Sequence, residues 1–235
     1  LSGSTGTATV TGSGSQWNNL GNLLVGLSGS GTLNVEAGGV VANKYGYIGY
    51  NSGSTGVATV TGSGSQWNNS NSLYVGGKGS QAGGTGILNI ADSGLVAVGK
   101  TMKLWSGGTV NLNGGTLSTG TLDVTEGTFN MTGGFLHATQ VIGDINVQGG
   151  TVAPGHSPGI MSISGNYVQG NAVTLVRGLR HANYRDVLQY LLCSNGQELW
   201  VSRAHAHTVE TANGRTRFVF LHDGRVRPSV CLIRR

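Results

Sequence analysis

Residues Gly3 to Asn19 read GSTGTATVTGSGSQWNN, and residues Gly53 to Asn69 read GSTGVATVTGSGSQWNN. One position differs, Thr7 against Val57, at an offset of 50 residues. The match continues more loosely. Asn22–Gly26 (NLLVG) pairs with Ser72–Gly76 (SLYVG), and Thr32–Val41 (TLNVEAGGVV) pairs with Ile87–Val96 (ILNIADSGLV) after a five-residue insertion in the second copy. A chain that repeats itself at a fixed interval stacks copies of one unit, each burying its apolar side on the next.

The unit is made of strands. Apolar residues recur in i, i+2 pairs at Ala8/Val10, Leu23/Val25, Leu33/Val35, Ala58/Val60, Leu73/Val75 and Leu88/Ile90. The pattern runs on through Val110/Leu112, Leu122/Val124, Phe129/Met131 and Ile145/Val147. Period two places one face inward and leaves the Thr, Ser and Asn between on the other. Gly pairs at 38–39, 107–108, 114–115, 133–134 and 149–150 punctuate the strands and supply the corners that tight turns need. Short strands with glycine corners suit a parallel β-solenoid or an antiparallel sandwich. The near-identical repeat favours the solenoid, with the 50-residue period as two coils. Trp17 and Trp67 fall at one repeat position, either as packing residues that stack or cover adjacent coils, or as a sugar-binding platform.

Composition narrows the class further. The chain has 235 residues, of which 43 are Gly and 3 are Pro, with no strict glycine triplet, which excludes collagen. So much glycine also disfavours long helices. Two cysteines make no disulfide scaffold, and no apolar run reaches the length of a membrane-spanning helix. The net charge of +5 is an average of unlike parts. Residues 1–176 hold 4 Lys, no Arg and 5 acidic residues, whereas residues 177–235 hold 10 Arg, no Lys and 4 acidic residues. Both cysteines and 4 of the 6 histidines lie in the second part. A boundary is therefore placed near Val176, between a solenoid domain at 1–176 and a short, atypical basic C-terminal tail at 177–235.

Two stretches, TVTGSGSQWNNSNSLYVGGKGS and GTLNVEAGGVVANKYGYIG, resemble the type V secretion and PEP-CTERM-associated repeats of bacterial autotransporter passengers and large surface proteins. The segment GGTVAPGHSPGIMSISGNYVQ, Gly149 to Gln169, resembles the end of autotransporter passenger domains, where an APG-x-SPG turn precedes a G-N-Y strand. The resemblance covers residues 2–172. It implies an all-β, right-handed parallel β-helix with a structural or adhesin-like role. The implied location is the cell surface, outer membrane or medium of a Gram-negative-type bacterium. A translocator barrel is then expected elsewhere in the full protein. The chain starts within a repeat at Leu1, without a recognisable signal peptide, and reads as a fragment.

Several catalytic patterns match on paper. Gly94 to Thr101 satisfies G-x-x-x-x-G-K-T, but its Leu-Val-Ala-Val interior reads as a strand, and the phosphate loop needs a helix N-terminus after it. Gly155 to Gly159 satisfies G-x-S-x-G, but Pro158 lacks the backbone N–H that the nucleophile elbow uses as an oxyanion donor. Gly83 to Ile87 begins like a calcium-roll nonapeptide without its Asp. The acids of residues 1–176 are Glu36, Asp92, Asp123, Glu126 and Asp144, and the Asp123/Glu126 pair reads as a solvated turn rather than a glycosidase dyad. No catalytic, cofactor or metal site is assigned, and the expected role is non-enzymatic. The surface-contact candidates are Trp17, Trp67, Tyr45, Tyr47 and Tyr50, beside Lys44. They suit a host or matrix glycan or protein, or self-association, with a glycan-binding or glycan-active β-helix as the alternative. Nucleic acid is not expected as a partner of residues 1–176.

In the tail, Tyr184, Val187, Leu188, Leu191 and Leu192 fall at helical spacing, which predicts a helix over 181–194 ended by Asn195-Gly196. Asn213-Gly214 and Asp223-Gly224 are hairpin dipeptides. The arginines are scattered, and His205-x-His207 is a weak metal hint on one strand face. Two accounts of the tail stand side by side: a genuine terminal segment, or the product of a reading-frame shift.

Overall fold

The computed structural model describes residues 3–154, 161–175, 191–193, 197–199, 205–212, 215–222 and 225–229. The chain divides into two compact units, Leu1–Gly178 and Leu179–Arg235. No helix occurs among the described residues, and none there is long and apolar enough to cross a membrane.

The first unit is the parallel β-solenoid expected from the repeat. Its first coil is β1 (Thr5–Thr11), β2 (Gln16–Asn18) and β3 (Asn22–Val25), and its second is β4 (Ser30–Glu36), β5 (Val40–Asn43) and β6 (Tyr45–Ile48). The third is β7 (Thr55–Thr61), β8 (Gln66–Asn69) and β9 (Leu73–Val75). From the fourth coil onward, strands run around corners: β10 (Thr85–Ala91) with β11 (Leu95–Leu104), β12 (Gly108–Asn113) with β13 (Thr116–Asp123), and β14 (Thr128–Met131) with β15 (Phe135–Ile142). A seventh coil is β16 (Ile145–Pro154) with β17 (Ser162–Ser164), and β18 (Tyr167–Leu175) opens the next. Each coil thus has three sides, and every side pairs in parallel with the same side of its neighbours.

The 50-residue interval is two coils. On the first side Thr5 pairs with Ser30 and Ser30 with Thr55. On the second, Trp17 pairs with Val41 and Val41 with Trp67. On the third, Leu23 pairs with Gly46 and Gly46 with Leu73. The interval is kept on all three sides although its halves are unequal on the last two. The five-residue insertion falls in the loop after β9, where Gly77 and Ala82 form an antiparallel bridge and the Trp105 indole donates to the Lys78 carbonyl at 2.6 Å.

The core is a set of ladders. Leu33, Ala58, Leu88 and Val110 align on the first side, Val41, Trp67, Val96, Leu117, Leu136 and Val152 on the second, and Leu73, Met102, Leu122 and Val141 on the third. All are buried. Period two supplies this directly, because parallel in-register strands keep each inward position above the same position of the coil below. One corner is glycine against glycine. A Cβ at Gly56 would meet the Val25 carbonyl and the Gly49 amide, and Gly49 itself has φ +72°. Only a residue without a side chain fits that approach.

In the second unit, β19 (Leu191–Cys193) and β20 (Gln197–Leu199) pair antiparallel, with Cys193 opposite Gln197. The helix predicted over 181–194 is therefore corrected for its described part. Residues 191–193 are strand, because antiparallel pairing with β20 overrides a few residues of helical spacing. The strands β21 (His205–Ala212), β22 (Arg215–His222) and β23 (Arg225–Ser229) form an antiparallel meander. Its strands meet across both hairpin dipeptides, Ala212 opposite Arg215 and His222 opposite Arg225. The register shifts between Ala206 and Thr208, at His207, so strict alternation from His205 is broken there.

Candidate contact surface

The sequence candidates separate by their place in the coil. Trp67 points inward on β8 and is 0 % exposed. Its indole Nε1 donates to the Asn43 Oδ1 at 2.7 Å, and the Asn43 Nδ2 donates to the Asn69 Oδ1 at 2.7 Å. Trp67 is thus a packing residue and leaves the list of surface contacts. It does not stack on Trp17 either, because Val41 lies between them in the ladder. Trp17 occupies the matching position in the first coil and is 38 % exposed. A buried indole keeps its N–H satisfied, and Asn43 provides that acceptor inside the core. The Asn69 Nδ2 has no partner.

Tyr45 and Tyr47 alternate outward on β6, with Gly46 and Ile48 inward between them. Tyr47 stands in a ladder with Leu24 below, then Tyr74, Lys103 and Asp123 above. The rings of Tyr47 and Tyr74 stack at 5.3 Å with an 18° interplanar angle, and Tyr50 meets Tyr47 edge-on at 5.1 Å. Tyr45 accepts from the Asn71 Nδ2 at 2.9 Å. Cations flank the aromatic cluster, with Lys78 Nζ 4.9 Å from the Tyr50 ring and Lys44 Nζ 5.8 Å from that of Tyr45. Burial pushes the Tyr47 phenol up, and the neighbouring Tyr74, Tyr50 and Tyr45 add to the shift.

The ladder ends in charge. Lys103 Nζ lies 3.1 Å from Asp123 Oδ2 and 3.3 Å from Glu126 Oε1, donates to Thr125 Oγ1 at 2.9 Å, and sits 4.6 Å from the Trp105 ring. Asp123 and Glu126 therefore converge on one lysine rather than face each other across an open cleft. Burial alone pushes the Asp123 carboxyl up. Hydrogen bonds from the Thr125 hydroxyl and amide, with the charge and hydrogen bond of Lys103, outweigh it and hold the carboxyl below its ordinary value.

A second feature runs along the corner between the second and third sides. A groove of about 1020 Å³ is lined, among others, by Asn18, Lys44, Asn68, Ser118, Thr119 and His137, across six coils. Its polar groups are amides, hydroxyls, one lysine and one histidine, set among Leu20, Ala42, Ala97 and Val98. Tyr74, Lys103, Trp105 and this groove escaped the sequence reading. The repeat aligns Tyr74 with Leu24, two coils away, and only the pairing register brings it beside Tyr47.

The phosphate-loop match is strand. Leu95–Leu104 is β11, and the Gly99 Cα lies where a Cβ would meet the Ser70 carbonyl, so no anion cradle opens there. The G-x-S-x-G match at 155–159 lies outside the described residues. No group of three or more His, Cys, Asp or Glu that would hold a metal occurs among the described residues. No family model matches the chain, and neither a curated protein nor a solved structure matches it.

Proposed function

We propose that residues 1–176 are a structural, adhesin-like passenger segment of a bacterial autotransporter, exposed on the cell surface or secreted by the type V route. The observation that carries this reading is the stack itself. Successive coils hold their outward positions in register, about 4.8 Å apart, so weak contacts made by neighbouring coils add along the stack. The inward positions supply a continuous core, and the work of the molecule is to be stiff and to present that surface. The autotransporter origin rests on the repeat and on the APG-x-SPG segment. Host or matrix glycans or proteins are the proposed partners, and an outer-membrane barrel elsewhere in the full protein is the proposed exporter.

A specific observation favours glycan binding as the second reading. The groove across six coils sets amides and hydroxyls beside small apolar side chains and Lys44, which suits an extended polyhydroxylated chain with both polar edges and apolar faces. One experiment addresses location: antibody against the purified chain should label intact cells of the source, and brief external protease should remove the label. Labelling only after permeabilisation overturns the surface reading. Retention of the chain on immobilised glycans, lost in Asn68→Ala with Ser118→Ala, would favour the second reading over protein adhesion.

A further inference from the structure

Charges in coils two and four are sorted by corner. Coil two carries Glu36 at the end of its first side and Lys44 at the end of its second. Coil four repeats the arrangement with Asp92 and Lys100, at the same separation in the chain. Backbone hydrogen bonds place the two lysines on one ladder. The Lys44 amide donates to the Gly21 carbonyl, that of Asn71 to Lys44, and that of Lys100 to Asn71, each at 2.9 Å. The lysines are therefore two coil steps apart, about 9.6 Å along the stack. Both are exposed, and neither forms an ion pair among the described residues, where Asp123 and Glu126 are taken by Lys103.

Both lysines belong to the groove at this corner. Lys44 lines it, and Lys100 stands between two of its glycines: it follows Gly99 in the chain, and a Cβ at Gly120 would meet its carbonyl. One outward rank of the second side, Asn18, Ala42, Asn68, Ala97, Ser118 and His137, runs the length of the groove in register. No Asp or Glu lines the groove, and no Phe, Tyr or Trp there offers a ring on which a base would stack. Glu36 and Asp92 lie across the second side, at its other edge.

We propose, resting on the glycan reading of this groove, that its ligand is an acidic polysaccharide with a uronate carboxylate on every second sugar. The lysine spacing is close to one disaccharide of an extended chain, so successive carboxylates meet Lys44 and Lys100. Asn68, in the coil between them, faces the intervening neutral sugar with its amide. Lysine suits this role because it is a compact point charge on a flexible stem and imposes no fixed geometry on a carboxylate. Charge complementarity in an exposed groove sets which polymer is chosen more than how tightly it is held.

The test measures binding of the full chain to hyaluronan, which has a carboxylate on every second sugar, and to the same polymer with its carboxyls reduced to alcohols. The charged polymer should bind about tenfold more tightly, from two exposed charge contacts, and added salt should narrow the gap. Lys44→Gln and Lys100→Gln should each weaken its binding by about two- to fivefold, and arginine at both positions should retain it. Glu36→Gln with Asp92→Asn raises the net charge by as much as the two glutamines lower it, but at the other corner, and should leave binding unchanged. Equal binding of the charged and reduced polymers overturns the inference while the glycan reading stands. Lysine variants that bind like the parent, or a gain from the acid variants equal to the loss from the lysine variants, also overturn it. So does tighter binding of dextran sulfate or DNA than of hyaluronan, which would make the groove a general anion surface. Binding of neither form of hyaluronan, nor of any other immobilised glycan, overturns the glycan reading itself.

Discussion

The indole of Trp67 donates a 2.7 Å hydrogen bond to the side-chain carbonyl of Asn43, one coil away, and both residues are buried. This bond lets the largest side chain of the core sit on a ladder whose other buried members are Val and Leu. It also couples coils two and three through polar side chains that are buried.

Asn43→Leu removes the acceptor of Trp67 and the donor to Asn69 together, and leaves two buried polar groups unpaired. A loss of about 2–4 kcal/mol is expected, from roughly 1–3 kcal/mol for each unsatisfied group with partial relaxation. Urea unfolding checks it: the midpoint should fall with the slope unchanged. A change within about 0.5 kcal/mol would mean that the bond contributes nothing beyond packing.

Gly6 and Gly56 occupy one ladder position in coils one and three, through Gly31. A Cβ at Gly6 meets nothing within 4 Å, whereas at Gly56 it meets the Val25 carbonyl and the Gly49 amide. Gly6→Ala should be neutral or slightly stabilising, by up to about 1 kcal/mol through the unfolded chain. Gly56→Ala should destabilise by about 1–3 kcal/mol as backbone must move. Thermal melts of the two variants make the comparison, and equal effects would contradict the packing of that corner.

Ser93 is exposed and has φ +68°. An L-residue in the left-handed region costs roughly 1–2 kcal/mol, and glycine there is free of it but adds entropy to the unfolded chain. Ser93→Gly should therefore stabilise by about 0.5–1 kcal/mol. A lowered unfolding midpoint would show that the serine side chain compensates the strain.

The pH limits have assigned causes. The Asp123 carboxyl is held below its ordinary 3.8 in the folded chain. Its contribution is present above that value and is lost as pH falls below it, through the folded pKa. Asp123→Asn should flatten the acid limb of the urea midpoint. At the alkaline end, burial pushes the Tyr167 phenol up to about 12. The folded chain keeps that proton where the unfolded chain loses it, so stability declines as pH rises from about 10 toward 12. Tyr167→Phe should remove that share, and an alkaline limb identical to the parent would contradict it.

The sequence carried the fold a long way because period two and the 50-residue repeat are local records of a stacked strand. Ala58/Val60 and Leu88/Ile90 announce inward positions without any knowledge of their neighbours, and glycine pairs announce corners. The tail shows the limit: Leu191 and Leu192 fit helical spacing, but they lie in a strand paired with β20.

The sequence by itself determined the strands of the solenoid, their inward faces, the repeat and the composition break near residue 176. Tertiary structure decided which coil lies against which, and so the environment of each side chain. Trp17 and Trp67 share their sequence surroundings, yet one is exposed and one is buried, because only the second has a coil bearing Asn43 and Gly46 on its N-terminal side. Likewise Tyr47 and Tyr74 are 27 residues apart in the chain and stack only because the register of β6 on β9 places them together. Burial and ring contact depend on neighbours across the stack, and period two records only the face on which a residue lies.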